Sequence, residues 1–319
     1  MAHSPAARAF ALILGVGGAI AVGALTALQA RLNGVLGTGL DDGFFAAAIS
    51  FGSGFLILVV LALLLPSGRA GVRRLVDDVR AGRVPAWMLC GGAAGAFSVA
   101  TQGLTVGVIG VALFSVGMIA GQTVNGLVLD RVGFSPAGVA PVTIGRLVGA
   151  VLVVAAVVVS LGGGVIGAVP AWMLVLPFLV GAGVAWQTAT NGRLRLTIGS
   201  ALTATLVNFA GGLGILVIAA LISVGATGWP TAFPTEPWVY TGGALGVTYI
   251  FISAALTPRT GVLIMTLGSV LGMLTSSVVF DLIWRPALPA DPWRQTAMVA
   301  LALAGVATAV APWHRLRRR

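Results

Sequence analysis

Residues 23–36, GALTALQARLNGVL, return 158 positions later as residues 181–194, GAGVAWQTATNGRL. The match sets Gly23, Ala24, Ala27, Gln29, Asn33, Gly34 and Leu36 on Gly181, Ala182, Ala185, Gln187, Asn191, Gly192 and Leu194. It continues without a gap, placing Phe51 on Phe209, Gly54 on Gly212 and Ile57, Leu58 and Val59 on Ile215, Leu216 and Val217. Over residues 23–64, 15 of 42 positions are identical. Apolar bias alone matches Ala, Leu and Val, but it does not match Gln, Asn and Phe at fixed spacing. A second offset, 151, sets Gly91, Gly92, Gly95, Gly117, Gly121 and Asp130 on Gly242, Gly243, Gly246, Gly268, Gly272 and Asp281, so the second copy has a shorter internal loop.

The repeats lie in a chain that cannot be a soluble domain. Of its 319 residues 58% are hydrophobic and only 8% are charged, against about 25% charged in soluble proteins. Breaks at charged, Pro-rich or Gly-rich stretches predict helices near 9–31, 44–65, 86–106, 108–129, 142–161, 171–192, 202–223, 239–256, 261–280 and 295–312. Ten spans of about 20 residues each account for most of the hydrophobic content. The connection from Gly107 to Gly110 is short enough only for a tight turn between antiparallel helices. Barrel strands are excluded, because the apolar runs do not alternate. Each repeat then holds five helices, and an odd number makes the second copy enter the membrane from the opposite face. The expected fold is an all-α polytopic membrane protein of ten transmembrane helices in two inverted five-helix repeats, 1–165 and 166–319, an architecture common among secondary transporters.

The net charge of +10 comes from arginine alone, since the sequence has no lysine. The arginines lie between hydrophobic runs and form no nucleic-acid face. With ten spans, 15 arginines fall on the side of the termini, and Arg31, Arg285 and Arg294 on the other. The positive-inside rule therefore predicts both termini in the cytoplasm of a bacterial-type inner membrane. The loop at 66–85, with Arg69, Arg73, Arg74, Arg80 and Arg83, and the tail with Arg315, Arg317, Arg318 and Arg319, are expected near anionic lipid head groups. The first span has the flavour of a secretory signal, but its apolar core is too long and it recurs inside the chain. Cys90 is the lone cysteine and His3 and His314 sit at the ends, which excludes disulfide frameworks and metal clusters. No cofactor or metal is expected.

Amides in hydrocarbon need partners or a wet cavity. Gln29 and Asn33 are four apart on the first helix, as are Gln187 and Asn191 on the sixth, so each pair shares a helix face. Gln29, Asn33, Ser50 and Gln102 are expected toward the outer third of the membrane; Gln187, Asn191, Asn208 and Ser253, at equivalent positions, toward the inner third. These clusters are read as the two ends of one path, with Gln122 and Asn125 as central contacts and Trp186 and Tyr249 as candidate aromatic surfaces. The alternative is that the amides are interhelical hydrogen bonds that fix packing. Gly91, Gly95, Gly117, Gly121, Gly242, Gly246, Gly268 and Gly272 form small-xxx-small pairs, which let helices pack closely; if the halves rock, these are the sliding faces. Asp130 is expected to pair with Arg131 or Arg146, as a structural ion pair.

All eight acidic residues, Asp41, Asp42, Asp77, Asp78, Asp130, Glu236, Asp281 and Asp291, fall in predicted loops or helix ends. Proton relays in membranes usually use a buried carboxylate, so cation export by carboxylate exchange is disfavoured and a neutral or zwitterionic solute expected. Enzymes lack their players too: no embedded His, no carboxylate pair, and no Ser with a base. Gly162 to Gly164 lack a downstream Lys and read as a connector, not a phosphate loop.

The run GALTALQARLNG at 23–34, FGSG at 51–54 and GQTVNGLVLDRVGF at 121–134 resemble the YdcZ-like (EamA-like) branch of the drug/metabolite transporter superfamily over nearly the whole chain. The resemblance implies an inner-membrane protein of ten helices in two inverted halves, with a solute path between them. The related small multidrug resistance proteins carry a glutamate in the first helix that this chain lacks. Its second half also departs from the pattern: Met273 and Ser276 stand at the positions of Gln122 and Asn125, and Leu282, Ile283 and Trp284 at those of Arg131, Val132 and Gly133. Two equivalent sites at helices four and nine are therefore not expected. The resulting expectation is a transporter of a small polar or amphipathic metabolite working by alternating access, with a non-transporting structural or lipid-handling protein as the rival. One chain suffices for a path, and a dimer is compatible with it.

Overall fold

The computed structural model describes residues 5–134, 138, 139, 142–162, 165–287 and 291–310, and among these it is all-helical. The helices are α1 (Pro5–Leu40), α2 (Gly43–Leu64), α3 (Pro66–Arg80), α4 (Gly92–Arg131), α5 (Ile144–Ser160), the one-turn α6 (Val165–Ala168), α7 (Ala171–Ile198), α8 (Ala201–Thr227), α9 (Gly242–Ile283) and α10 (Pro292–Val310). One-turn 3-10 helices at Ala86–Leu89 and Pro237–Thr241 lead into α4 and α9. Among the described residues six segments are long and apolar enough to cross a membrane.

Local chemistry sets the turns. Asp42 has extended backbone and accepts hydrogen bonds from the amides of Phe44 and Phe45, capping α2; Asp41 before it has φ 51°. At the matching turn Gly199 has φ 65° and Ser200 caps α8 by accepting from the Thr203 amide. Each turn thus joins a left-handed residue to an oxygen-bearing N-cap, the combination that closes one helix and opens the next.

Gly110 breaks α4 with φ 82° and ψ 164°, and the chain reverses there. Gly183 on α7 faces Ala94, whereas Gly181, two residues away, faces the backbone of Gln122. Ala94 and Gln122 would stand about 42 Å apart on a straight helix, so the two limbs of α4 are antiparallel. The tight turn expected at Gly107 to Gly110 is present. α9 doubles back in the same way. Leu256 meets Gly18, and Gly272 returns to Ile20. Its residues 257–260, expected to be a loop, are nevertheless helical.

Two other expectations need correction. The first helix extends to Leu40 and not to residue 31, because the stretch from Arg31 to Thr38 packs on the first limb of α4: Gly34 lies against Val106 and Gly37 against Gly103. The loop expected at 66–85 mostly forms α3. Its glycines tuck against neighbours, Gly68 on Ala62 and Gly71 on Ser200 and Thr203, while Arg69, Arg73 and Arg80 stay exposed.

The dominant packings pair α1 with α9, α4 with α7, α5 with α10 and α2 with α8. The largest core lies among α1, α4, α5, α7, α9 and α10, built on Ile109, Phe114, Val153, Leu274 and Met298. A second core lies between α2 and α8, with Phe51 and Phe209 at its centre.

Candidate functional site

Helix α1 brings Gln29 and Asn33 against the start of α9. Gln29 Nε2 donates to the Gly242 carbonyl at 2.8 Å. Asn33 Nδ2 donates to Gln102 Oε1 at 2.6 Å. Ser50, on α2, faces the same glycine: a Cβ at Gly242 would stand 2.5 Å from Asn33 Oδ1 and 2.8 Å from Ser50 Oγ. These four polar side chains are all buried, Asn33 completely. Asn33 Oδ1 and Ser50 Oγ have no hydrogen-bond partner.

The corresponding cluster sits where α7 meets the start of α4. Gln187 Nε2 and Asn191 Nδ2 both donate to Asn208 Oδ1, at 2.8 and 3.1 Å. A Cβ at Gly91 would stand 2.5 Å from Asn191 Oδ1, and one at Gly95 would stand 2.6 Å from Gln187 Nε2. Asn208 is buried, but Gln187 and Asn191 are only half-buried. Ser253, at the position equivalent to Gln102, is half-buried on α9.

Between the clusters Phe51 and Phe209 stack, with ring centroids 4.8 Å apart and planes at 28°. Phe51 lies against Gly212 and Phe209 against Gly54. The rim of Phe51 reaches Gly95, beside Gln187, and that of Phe209 approaches Gly246, beside Gln29. Contacts therefore run amide cluster, ring, ring, amide cluster. The repeat alignment pairs these phenylalanines, but no pattern in the sequence marks two residues 158 apart as touching.

The other candidates lie off this line or at its edge. Asn125 Nδ2 donates to the Ala182 carbonyl at 2.7 Å, tying α4 to α7; Gln122 is half-buried one turn earlier. Trp186 is half-buried beside Gln187. Tyr249 packs in an apolar cluster with Ala19, Val22 and Met265. Gly117 and Gly121 face Pro177 and Phe178 on α7, while Gly268 and Gly272 face Ala19 and Ile20 on α1. Arg146 Nη1 donates to Asp130 Oδ2 at 2.9 Å.

Two charged residues take positions that the loop reading of the sequence missed. Asp281 is buried and caps the second limb of α4, accepting from the amides of Val111 and Ala112 at 2.8 Å each. It holds a helix start that no side chain of α4 itself caps. Arg31 lies inside the span Leu14–Leu40, nine residues from its end, or about 13 Å. It is 8% exposed, and its Nε and Nη1 have no hydrogen-bond partner. An arginine in an apolar sequence normally marks a helix end; here α1 continues past it to Leu40 and the fold buries it. Positions 29 and 33 are nearly opposite position 31 around a helix, so Arg31 faces away from the amide cluster.

This constellation offers hydrogen bonds and aromatic faces. No curated protein matches the chain. One crystal structure, described only as that of a protein, is 18% identical and superposes with a TM-score of 0.51 over 98% of this chain and 100% of its own, a likeness of fold alone. The family model DMT_YdcZ, described as "Putative inner membrane exporter, YdcZ", matches residues 14–159 and 172–310. With a match over most of its length, this apolar helical chain belongs to the DMT_YdcZ family of the drug/metabolite transporter superfamily.

Proposed function

We propose that the protein carries a small polar or amphipathic solute across the inner membrane by alternating access between two inverted five-helix halves, 1–165 and 166–319. The observation that carries this reading is one arrangement present twice in two different states. The contacts Gln29 with Gly246 and Asn33 with Gly242 reappear, at the sequence offsets, as Gln187 with Gly95 and Asn191 with Gly91. The first cluster is sealed, whereas the second is half-open. Exchange of these states between like halves would open the path to one side and then the other. The family match to both stretches supports the same division. The arginine distribution supports cytoplasmic termini, with the half-open cluster facing the cytoplasm and the exposed arginines of α3 near anionic lipid head groups.

The decisive test is flux into proteoliposomes for a panel of amino acids, sugars, nucleosides and polyamines, with wild type, Gln187→Ala and Asn33→Ala. A transporter loses flux of its solute in both variants at unchanged abundance. The hydrogen bonds among the amides favour a second reading, in which they only fix packing. That reading predicts lost abundance or thermal stability, with no solute carried by the wild type.

A further inference from the structure

The sealed cluster has an unfilled hydrogen-bonding demand that its counterpart lacks. In the half-open cluster Asn208 reaches both Gln187 and Asn191 with one carbonyl oxygen. The equivalent position on α2 is Ser50, a shorter side chain, so Asn33 finds no amide there. Its Nδ2 turns to Gln102, leaving Asn33 Oδ1 and Ser50 Oγ without partners, although Asn33 is 0% and Ser50 2% exposed. A buried acceptor with nothing to accept is costly. Both oxygens converge on Gly242, where there is no side chain to meet them.

Next along the same line stand Phe209 and Phe51, face to face. The edge of each ring meets a glycine of the facing helix, Gly54 for Phe209 and Gly212 for Phe51, so helix backbone borders the stack on both sides. Resting on the transport reading above, we propose that the solute is a small, uncharged, planar aromatic molecule with a hydrogen-bond donor on its edge. Its face enters between Phe51 and Phe209 as α2 and α8 part, and its N–H or O–H donates to Asn33 Oδ1 and Ser50 Oγ. Stacking asks for flatness and the two oxygens ask for a donor. No acidic residue joins this cluster to hold a cation, and Arg31 faces away from it.

The test separates the two requirements with three neutral probes of similar size. Benzamide is planar and has N–H donors, cyclohexanecarboxamide keeps the donors on a puckered ring, and N,N-dimethylbenzamide keeps the aromatic ring without a donor. Dissociation constants are measured by calorimetry on the purified full chain in detergent. Benzamide is expected to bind about tenfold tighter than either relative, from the worth of aromatic stacking and of one satisfied acceptor. Phe51→Leu and Phe209→Leu should erase the preference over cyclohexanecarboxamide, and Ser50→Ala should shrink the preference over N,N-dimethylbenzamide. Equal binding of the three probes by the wild type overturns the proposal, and that comparison needs no variant to fold. A preference unchanged in both phenylalanine variants overturns it as well. Flux is read separately. The benzamide preference without flux of any solute keeps this site and removes the transport reading, whereas flux of a solute with no benzamide preference does the reverse.

Discussion

Replacing Gly110 by alanine should damage the protein more than its single methyl group suggests. The residue has φ 82° and ψ 164°, a region that only glycine occupies at ease, and another residue held there costs about 1–3 kcal/mol. A Cβ would also stand 2.7 Å from Asp281 Oδ2. The carboxylate would have to withdraw from the Val111 and Ala112 amides, which it holds at 2.8 Å. Losing one such charged hydrogen bond costs about 1.5–3 kcal/mol, which brings the total to about 2.5–6 kcal/mol. The assay is unfolding in mixed micelles with increasing SDS, read as a free energy. Gly82→Ala is the control: φ is 69° with open space around it, so it should cost only the left-handed strain, about 1–2 kcal/mol. In Gly110→Ala/Asp281→Ala the obstructing carboxylate is gone, so the pair should fall short of the summed single losses by about 1.5–3 kcal/mol. Strict additivity, or a Gly110→Ala protein as stable as Gly82→Ala, refutes the idea that Asp281 pins this turn.

Packing between α1 and α9 predicts a contrast at two glycines. Gly23→Ala directs a methyl group into the Ser269 carbonyl and should destabilise by about 1–3 kcal/mol or more, whereas Gly17→Ala meets nothing within 4 Å and should be neutral or gain up to about 1 kcal/mol; SDS unfolding of the two variants checks both. The ion pair of Arg146 with Asp130 leaves side chains 32% and 28% exposed, so Arg146→Gln should cost less than about 1 kcal/mol, with the loss shrinking in high salt on a melting curve. Asn208→Ala leaves Gln187 and Asn191 without their shared acceptor; on the transport reading its flux should fall at least as far as that of Gln187→Ala, measured at equal protein abundance in proteoliposomes.

Much of this molecule is legible in its residues. The hairpin at Gly107 to Gly110 follows from a connection too short for anything but reversal. The two amide clusters follow from Gln29, Asn33, Gln187 and Asn191 recurring at helical spacing, since a polar side chain in an apolar span needs a partner and the partner recurs with it. Arg31 is where such reading misleads. A charge in an apolar sequence marks the edge of a span unless the fold covers it, and here α1 continues past a buried Arg31 to Leu40. Asp281 is the same case: it lies near a helix end, as expected, but the helix start that it caps belongs to the other half.

Membrane residence, the helical class, the pairing of residues 23–64 with 181–222 and the chemistry on each helix face are set by composition and local period, and so could be read from the residues alone. The packing of α1 on α9 and of α7 on α4, the stacking of Phe51 on Phe209, and the sealing of one amide cluster while its counterpart is half-open emerge in the folded molecule. The reason is that these glycine-rich helix faces are nearly alike: any of them can pack closely on another, so the choice among them is made by the simultaneous fit of all the helices.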